Sequence, residues 1–282
     1  MTVALHMPEL PEVEHVVRAL RRSVTGRRVL AAELKLARLA GGLSPRVFAR
    51  RLRGAVIQRI RRRGKYILIE LDSGRVLAVH LRMTGKFVAL PVEAQLPKHA
   101  HAIFYLDDNR RLVFCDQRQF GKLLLVDAAD LEGLDQIRSL APEPLGKQFT
   151  LEYLRETLAR SRRGIKQLLL DQTKVLGLGN IYASEALFLA RINPLTPALQ
   201  LGKQRAERLH EAIRTTLRAA IAGGSTLRID LDEDGSSYIG SSERFWRVYE
   251  RDGEPCVTCG MKIRRVVQGG RSTYYCPRCQ RK

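Results

Sequence analysis

Ala141-Pro142-Glu143-Pro144-Leu145-Gly146 divides the chain into two textures. Its prolines lack the N–H that a helix or sheet ladder needs, and a glycine ends the run, so the stretch reads as a linker. Upstream, short β-type runs follow one another at 55–61, 66–71, 76–81, 102–106, 111–115 and 122–126. Turn signals such as Asp72-Ser73-Gly74 and Asp107-Asp108-Asn109 separate them. Downstream, apolar residues return at helical spacing over 151–161, 165–170, 181–190 and 201–222, and Gly223-Gly224-Ser225 stops the last run. Strands first and helices second predict a multi-domain α+β protein, with an antiparallel β-sandwich carrying flanking helices and then a helical domain.

Charge narrows the partner. The 282 residues hold 49 Lys and Arg against 29 Asp and Glu, a formal net charge of +20. Such an excess attracts polyanions, nucleic acid first among them. With 45% hydrophobic and 28% charged residues, the composition is globular and excludes a disordered chain. No apolar run approaches the ~18 residues of a membrane span. The N-terminus also lacks a basic-then-apolar secretory pattern, so a soluble intracellular protein is expected.

Four of the five cysteines fall in the last 27 residues. Cys256 and Cys259 form one C-x-x-C and Cys276 and Cys279 another, with 16 residues between the pairs. Two such knuckles bring four thiolates to the corners of a tetrahedron, the geometry of structural zinc, with no coordination position left for chemistry. A redox dithiol pair is the rival reading. Residues 261–275 can form two strands around Gly269-Gly270, which predicts a four-cysteine zinc β-hairpin. Its basic residues, among them Lys262, Arg264 and Arg271, suit contact with nucleic acid. Cys115, in an apolar run, reads as a core residue. Residues 227–250, rich in Asp, Gly and Ser, read as an exposed loop leading into a strand at 245–249.

At the other end, Leu10, Val13, Val17 and Leu20 recur at helical spacing, and Pro11 is tolerated only in a first turn. A helix is expected from there to about Gly26. Glu9 and Glu12 then share one side of its first turn, where acidic side chains ordinarily serve the cap and the dipole.

The run Met7-Pro8-Glu9-Leu10-Pro11-Glu12-Val13-Glu14 does not stand alone. With it come Lys65-Tyr66-Ile67-Leu68, His80-Leu81-Arg82-Met83-Thr84-Gly85 and Lys98-His99-Ala100-His101. Further on stand Asp116-Gln117-Arg118-Gln119-Phe120-Gly121, Gly164-Ile165-Lys166 and Gly177-Leu178-Gly179-Asn180-Ile181-Tyr182-Ala183-Ser184-Glu185. In order and spacing these and the cysteine hairpin resemble the formamidopyrimidine-DNA glycosylase family, bacterial base-excision enzymes for oxidised purines, over nearly all of 7–282.

The resemblance implies a bifunctional DNA glycosylase and AP lyase that excises formamidopyrimidines and 8-oxoguanine. Pro8 matches the family's N-terminal nucleophile, whose amine forms a Schiff base with the sugar before β,δ-elimination. An α-amine with a pKa near ~8 keeps a sizeable neutral fraction at working pH. Glu9 matches the general acid and Glu12 a supporting carboxylate. Lys65 matches the β-elimination lysine, and Arg271 the hairpin arginine linked to δ-elimination. Met83, Arg118 and Phe120 match the residues that fill the gap left by an extruded nucleotide. Lys65, His80, His99, Arg162, Lys166, Asn180 and Arg271 match phosphate contacts, those on the helical side within a helix–two-turns–helix unit. A lesion-capping loop is expected within 228–244. The family carries proline and a second arginine where this chain has Gln117 and Gln119.

The implied partner is double-stranded DNA with oxidised bases or abasic sites, the implied cofactor one structural zinc ion, and the protein a cytoplasmic, nucleoid-associated monomer. Domains are expected at 8–140 (catalytic), 149–226 (helical) and 251–282 (zinc finger), with a linker at 141–148 and the loop and its strand at 227–250. Met1–His6 precede Met7, and Pro8 can act only with its nitrogen uncapped, so residues 1–7 are expected to be absent or removed. Two alternatives remain: an endonuclease VIII-like enzyme for oxidised pyrimidines, and a non-catalytic DNA-lesion-binding protein if Pro8 stays blocked.

Overall fold

The computed structural model describes residues 7–223, 227–228, 239–240 and 246–281, which divide into two compact units. The first contains the chain up to Arg138 together with 227–228 and 239–240, and the second begins at Ser139, close to the linker read from the sequence.

Helix α1 (Leu10–Val24) starts the first unit, with Pro11 inside its first turn, where the missing N–H costs no helical hydrogen bond. Leu10, Val13, Val17, Leu20 and Val24 are buried, while Arg18, Arg21 and Arg22 stay exposed. The strands β1 (Val29–Leu34), β2 (Ile57–Arg63), β3 (Tyr66–Leu71), β4 (Arg75–His80), β5 (Gly85–Pro91), β6 (Ala100–Leu106), β7 (Arg110–Asp116) and β8 (Lys122–Asp127) form two antiparallel sheets. Their orders are β1-β6-β7-β5 and β2-β3-β4-β8.

The period-two rule makes this a sandwich. Ile67, Ile69 and Leu71 of one sheet and Phe87, Phe104, Leu112 and Phe114 of the other join α1 in one core. Alternate residues of the second set, Val88, Ile103, Val113 and Cys115, form a separate cluster on the outer face. Cys115 is therefore a packed core thiol, and burial pushes its pKa up to about 11.

Several elements of this unit escape a reading of the sequence. β1 is Ala- and Glu-containing, and β5 begins on glycine and ends on proline. Helix α2 (Pro45–Leu52) is short, but Ser44 Oγ accepts the Val47 N–H at 3.3 Å and Phe48 and Leu52 are buried. A serine cap followed by proline is its start signal. The short helix α3 (Asp135–Arg138), also unread in the sequence, precedes the passage into the second unit.

The second unit holds α4 (Leu151–Ala159), α5 (Ile165–Leu169), α6 (Asn180–Leu189) and α7 (Lys203–Ala222). After α7 the chain returns to the first unit for a pair of two-residue strands, β9 (Leu227–Arg228) and β10 (Ile239–Gly240), and the second unit resumes with the hairpin strands β11 (Arg264–Gln268) and β12 (Arg271–Tyr275). The hairpin is no free-standing module: Cys256, Ile263 and Cys276 share one apolar cluster with Val248 and with Phe188 of α6.

The strand expected at 245–249 is not formed among its described residues. The N–H groups of Arg247, Val248 and Tyr249 all converge on the Glu185 carboxylate of α6, at 3.0, 2.9 and 3.0 Å. Successive N–H groups of a strand point in opposite directions, so this convergence requires a turn. The Met1–His6 leader and, apart from β9 and β10, the expected capping loop at 228–244 lie outside the described residues.

Candidate functional site

Two ties set where α1 begins. Arg21 Nε donates to Ile60 O at 2.6 Å, and Arg62 Nε meets Glu14 Oε2 at 3.1 Å. The helix therefore runs back along β2, and its first turn comes to the end of that strand, where Gly64 and Lys65 make the turn into β3. Pro8, Glu9 and Glu12 are buried there, with the two carboxylates 2% and 4% exposed. Glu12 Oε2 accepts the Glu9 N–H at 3.0 Å, one half of a reciprocal capping box whose other half brings the Glu9 carboxylate to the Glu12 N–H. The dipole-and-cap reading of these acids is thus satisfied locally. It does not account for a buried proline beside them, at a position where the chain has yet to enter the helix.

Lys65 is 5% exposed, and its neighbour Tyr66 pairs in register with His80 at the end of β4. The Tyr66 and His80 rings meet edge-on with centroids 4.7 Å apart. His80 Nδ1 accepts the Arg82 N–H at 3.0 Å, which leaves Nε2 as the protonated nitrogen of a neutral ring. Burial, then the charges of Arg82 and Lys65, push the His80 pKa down to about 3. At neutral pH His80 is thus an uncharged ring with a single N–H to donate.

A stability prediction follows from that shift. Between pH ~6.5 and about 3 the unfolded chain takes up a proton at this histidine that the folded chain refuses, so folding weakens as pH falls through that window. His80→Gln should flatten the decline, as read by urea midpoints at successive pH values. Parallel curves for the two proteins would count against a neutral buried ring.

Beyond His80, the turn from β4 to β5 and the turn from β7 to β8 come together. Arg118 Nη1 lies 2.8 Å from Met83 Sδ, and its guanidinium stands 5.0 Å from the centroid of the Phe120 ring. The structure thus gathers Met83, Arg118 and Phe120 into one group, with Phe120 52% exposed. Buried Asp116 holds the group in place. Its carboxylate accepts the Thr84 hydroxyl and, at 2.7 Å, the Gly121 N–H, while Thr84 Oγ1 accepts the Arg118 N–H at 2.9 Å. Glycine is required at Gly85, where a Cβ would stand 2.4 Å from Leu81 O. Gln119 adopts φ +58° and is bonded by Arg38, reached from 81 residues away. His99, exposed and at φ +62°, sits on the same side of β7 through the Asp116 N–H to His99 O bond of 3.0 Å.

In the second unit, Asn180 opens α6 after the buried run Gly177-Leu178-Gly179. Gln172 shapes the approach, accepting the Gly177 N–H at 2.9 Å and donating to Leu170 O and Leu178 O at 3.0 and 2.9 Å. Asn180 Oδ1 is buried without a hydrogen-bond partner among the described residues. A helix start of this kind presents N–H groups to an anion. Arg162 is exposed in the turn before α5, and Arg271, also exposed, pairs with Gln268 at the tip of the hairpin.

Lys166 of α5 is buried. It is 1% exposed, and Nζ donates to Ser272 O and Thr273 Oγ1, each at 3.0 Å. A buried ammonium without partners costs several kcal/mol (~3 or more), so these bonds engage it. Lys166 thereby ties α5 to β12.

The four cysteine Sγ atoms lie within 4.8 Å of one another, with Cys256–Cys279 at 3.9 Å and Cys259–Cys276 at 3.5 Å. Tetrahedral zinc with bonds of ~2.3 Å requires S···S separations near ~3.8 Å, so the thiol set fits zinc and is too open for disulfides of ~2.05 Å.

Glu185 and Asp116 are the supporting residues to which the sequence reading gave no role. A signal for Glu185 exists: an acid inside the apolar run 181–188 must be buried, and a buried carboxylate must be bonded. Asp116 carries no comparable mark, because strand ends commonly hold aspartate.

Comparison with known proteins adds three matches to family models. Residues 7–123 match the formamidopyrimidine-DNA glycosylase N-terminal domain, 140–230 its H2TH domain, and 253–281 a zinc finger found in FPG and IleRS. The formamidopyrimidine-DNA glycosylase of Pelotomaculum thermopropionicum is 44% identical over 276 residues, covering 98% of this chain and 99% of the relative. That of Rhizorhabdus wittichii is 46% identical, covering 98% and 100%. Among solved structures, Lactococcus lactis Fpg in complex with DNA containing an abasic site superposes with TM-score 0.89 at 35% identity, covering 97% of this chain and 100% of that one. The same enzyme in complex with DNA containing FAPY-dG gives 0.88 at 34%, with the same coverage.

Proposed function

Because the chain belongs to the formamidopyrimidine-DNA glycosylase family, we infer that it is a base-excision repair DNA glycosylase with AP lyase activity, acting on duplex DNA that carries oxidised purines or abasic sites. The hairpin holds one structural zinc ion on Cys256, Cys259, Cys276 and Cys279. The observation that carries the chemistry is the burial of Pro8 and Glu9 together at the start of α1, beside the turn that bears Lys65.

The residue roles are our reading of that arrangement. A free Pro8 nitrogen attacks C1′, the glycosidic bond breaks, and the base leaves with its electron pair and a proton. Glu9 protonates the sugar ring oxygen as the C1′–O bond opens, leaving an iminium between Pro8 and the sugar. Loss of a C2′ proton then expels the 3′ phosphate, and a second elimination expels the 5′ phosphate. Lys65 and Arg271 serve these eliminations, and Glu12 keeps the first turn in place through the Glu9 N–H. Met83, Arg118 and Phe120 fill the vacated stack, two apolar wedges and one hydrogen-bond donor for the orphaned base. His80, His99, Arg162 and Asn180 contact phosphates.

Among the described residues no helix is long and apolar enough to cross a membrane. A cytoplasmic enzyme that associates with the nucleoid through DNA suits this substrate.

Borohydride reduction during reaction with an 8-oxoguanine duplex tests the reading. We expect a covalent protein–DNA adduct that peptide mapping assigns to Pro8. A protein shown by intact mass to begin at Pro8 that forms no adduct would instead be a lesion-binding protein.

A further inference from the structure

The 36 residues between Glu33 and Glu70 include no Asp or Glu and eleven Lys or Arg. Helix α2 crosses this stretch. Phe48 and Leu52 take its buried side, and Arg46 and Arg50, one turn apart, are exposed together with Arg53 at the C-cap. The cap at Ser44 and the 3.0 Å bond from Arg53 N–H to Ala49 O fix this backbone at both ends. Arg28 stands beside the Arg53 end, its Nη1 donating to Gly54 O at 2.6 Å while the Gly54 N–H donates to Val29 O at 2.7 Å.

Other arginines of the same unit are neutralised within the fold. Glu14 pairs with Arg18 and Arg62, Asp108 with Arg27, and Glu70 with Arg61. Among the described residues, Arg46, Arg50 and Arg53 make no ion pair and no side-chain hydrogen bond. Like charges one turn apart repel, and among the described residues no ion pair offsets it here. A lipid surface is a poor match, since membrane-lying helices set large apolar side chains beside their cations and those of α2 face the core. Phosphodiesters suit a fixed row of guanidinium groups.

Arg53 precedes β2 and Lys65 follows it. The seven-residue strand between them rises about 20 Å, which puts this end of the ridge at the pole of the sandwich away from Lys65 and His80.

We propose that Arg46, Arg50 and Arg53, with Arg28 beside the Arg53 end, form an auxiliary ridge that grips the phosphates of duplex DNA outside the lesion site. The proposal rests on the DNA-repair reading above. Its work is sequence-independent holding while the enzyme moves along undamaged DNA.

The test compares the triple variant Arg46→Gln, Arg50→Gln, Arg53→Gln with the corresponding triple lysine variant, both as the full chain. On a long lesion-free duplex the glutamine variant should bind about tenfold more weakly, and its log K against log salt slope should be shallower by about 2.7, three contacts at ~0.9 each. The lysine variant should keep most of the affinity and the slope. Single-turnover excision from a short lesion duplex should match the parent in both. An unchanged affinity and slope in the glutamine variant would make the ridge a solvated face and overturn the proposal. So would equal losses in the two variants, which would trace the effect to packing rather than charge. A parent protein that fails to excise a lesion speaks against the repair reading instead, because the ridge is read on undamaged DNA.

Discussion

Glu9→Gln lowers single-turnover base excision by about 10²–10⁴-fold, the usual worth of a positioned general acid. Binding to a duplex carrying an uncleavable abasic analogue changes by less than about threefold, since the substitution removes a proton donor and leaves the fold intact. Glutamine is the right replacement because its amide oxygen can still accept the Glu12 N–H and complete the capping box. Alanine would mix the chemical loss with about 1 kcal/mol of lost cap. Excision within about threefold of the parent would remove Glu9 from the chemistry and leave it a capping residue. A chain in which residue 7 still acylates Pro8 serves as a natural control. Its tertiary amide has no usable lone pair, so it should bind lesion DNA and form no borohydride adduct.

The second large effect is expected at the hairpin. Cys276 is fully buried in the cluster with Phe188, Val248 and Ile263, and structural zinc contributes about 10–16 kcal/mol to folding in isolated fingers. Cys276→Ser should lose its zinc, open β11 and β12 to hydrogen exchange, and lower DNA affinity at least tenfold by releasing Arg271. The disturbance should extend to α5, because Lys166 Nζ then loses Ser272 O and Thr273 Oγ1 as acceptors. The sandwich should keep its exchange protection, since its core is a separate cluster. A serine variant that retains one zinc per chain and parental affinity would contradict this account.

What could be read in advance followed the strength of the local signal. The helix at Leu10–Val24 and six of the eight sandwich strands declare themselves by apolar period, and the four thiols by spacing alone. β1 and β5 do not, because alanine, glycine and proline say little about strand formation and their pairing comes from β6 and β7. Pro8, Glu9 and Lys65 could be named from the family pattern, and the ties of Arg21 and Glu14 to β2 explain why they share one end of the sandwich. The burial of Lys166 leaves no mark in the sequence, because a lysine after Gly164-Ile165 looks the same whether its ammonium meets solvent or Thr273. Only tertiary contacts separate the two. The strand expected at 245–249 failed for a similar reason, its N–H groups being claimed by a carboxylate about 60 residues earlier.

The clasp formed by Glu185 sets the surroundings of Trp246, the only tryptophan of the chain. Its indole meets the Tyr182 ring at 5.7 Å and the Tyr249 ring at 6.3 Å, both edge-on, and Tyr249 in turn meets Tyr274 of β12 at 5.3 Å. Emission excited at the red edge therefore comes from a single fluorophore, wired through one tyrosine to the metal-bearing hairpin and lying two residues past the expected capping loop at 228–244. The enzyme thus carries its own optical gauge of that region, with no dye to attach and no second indole to subtract.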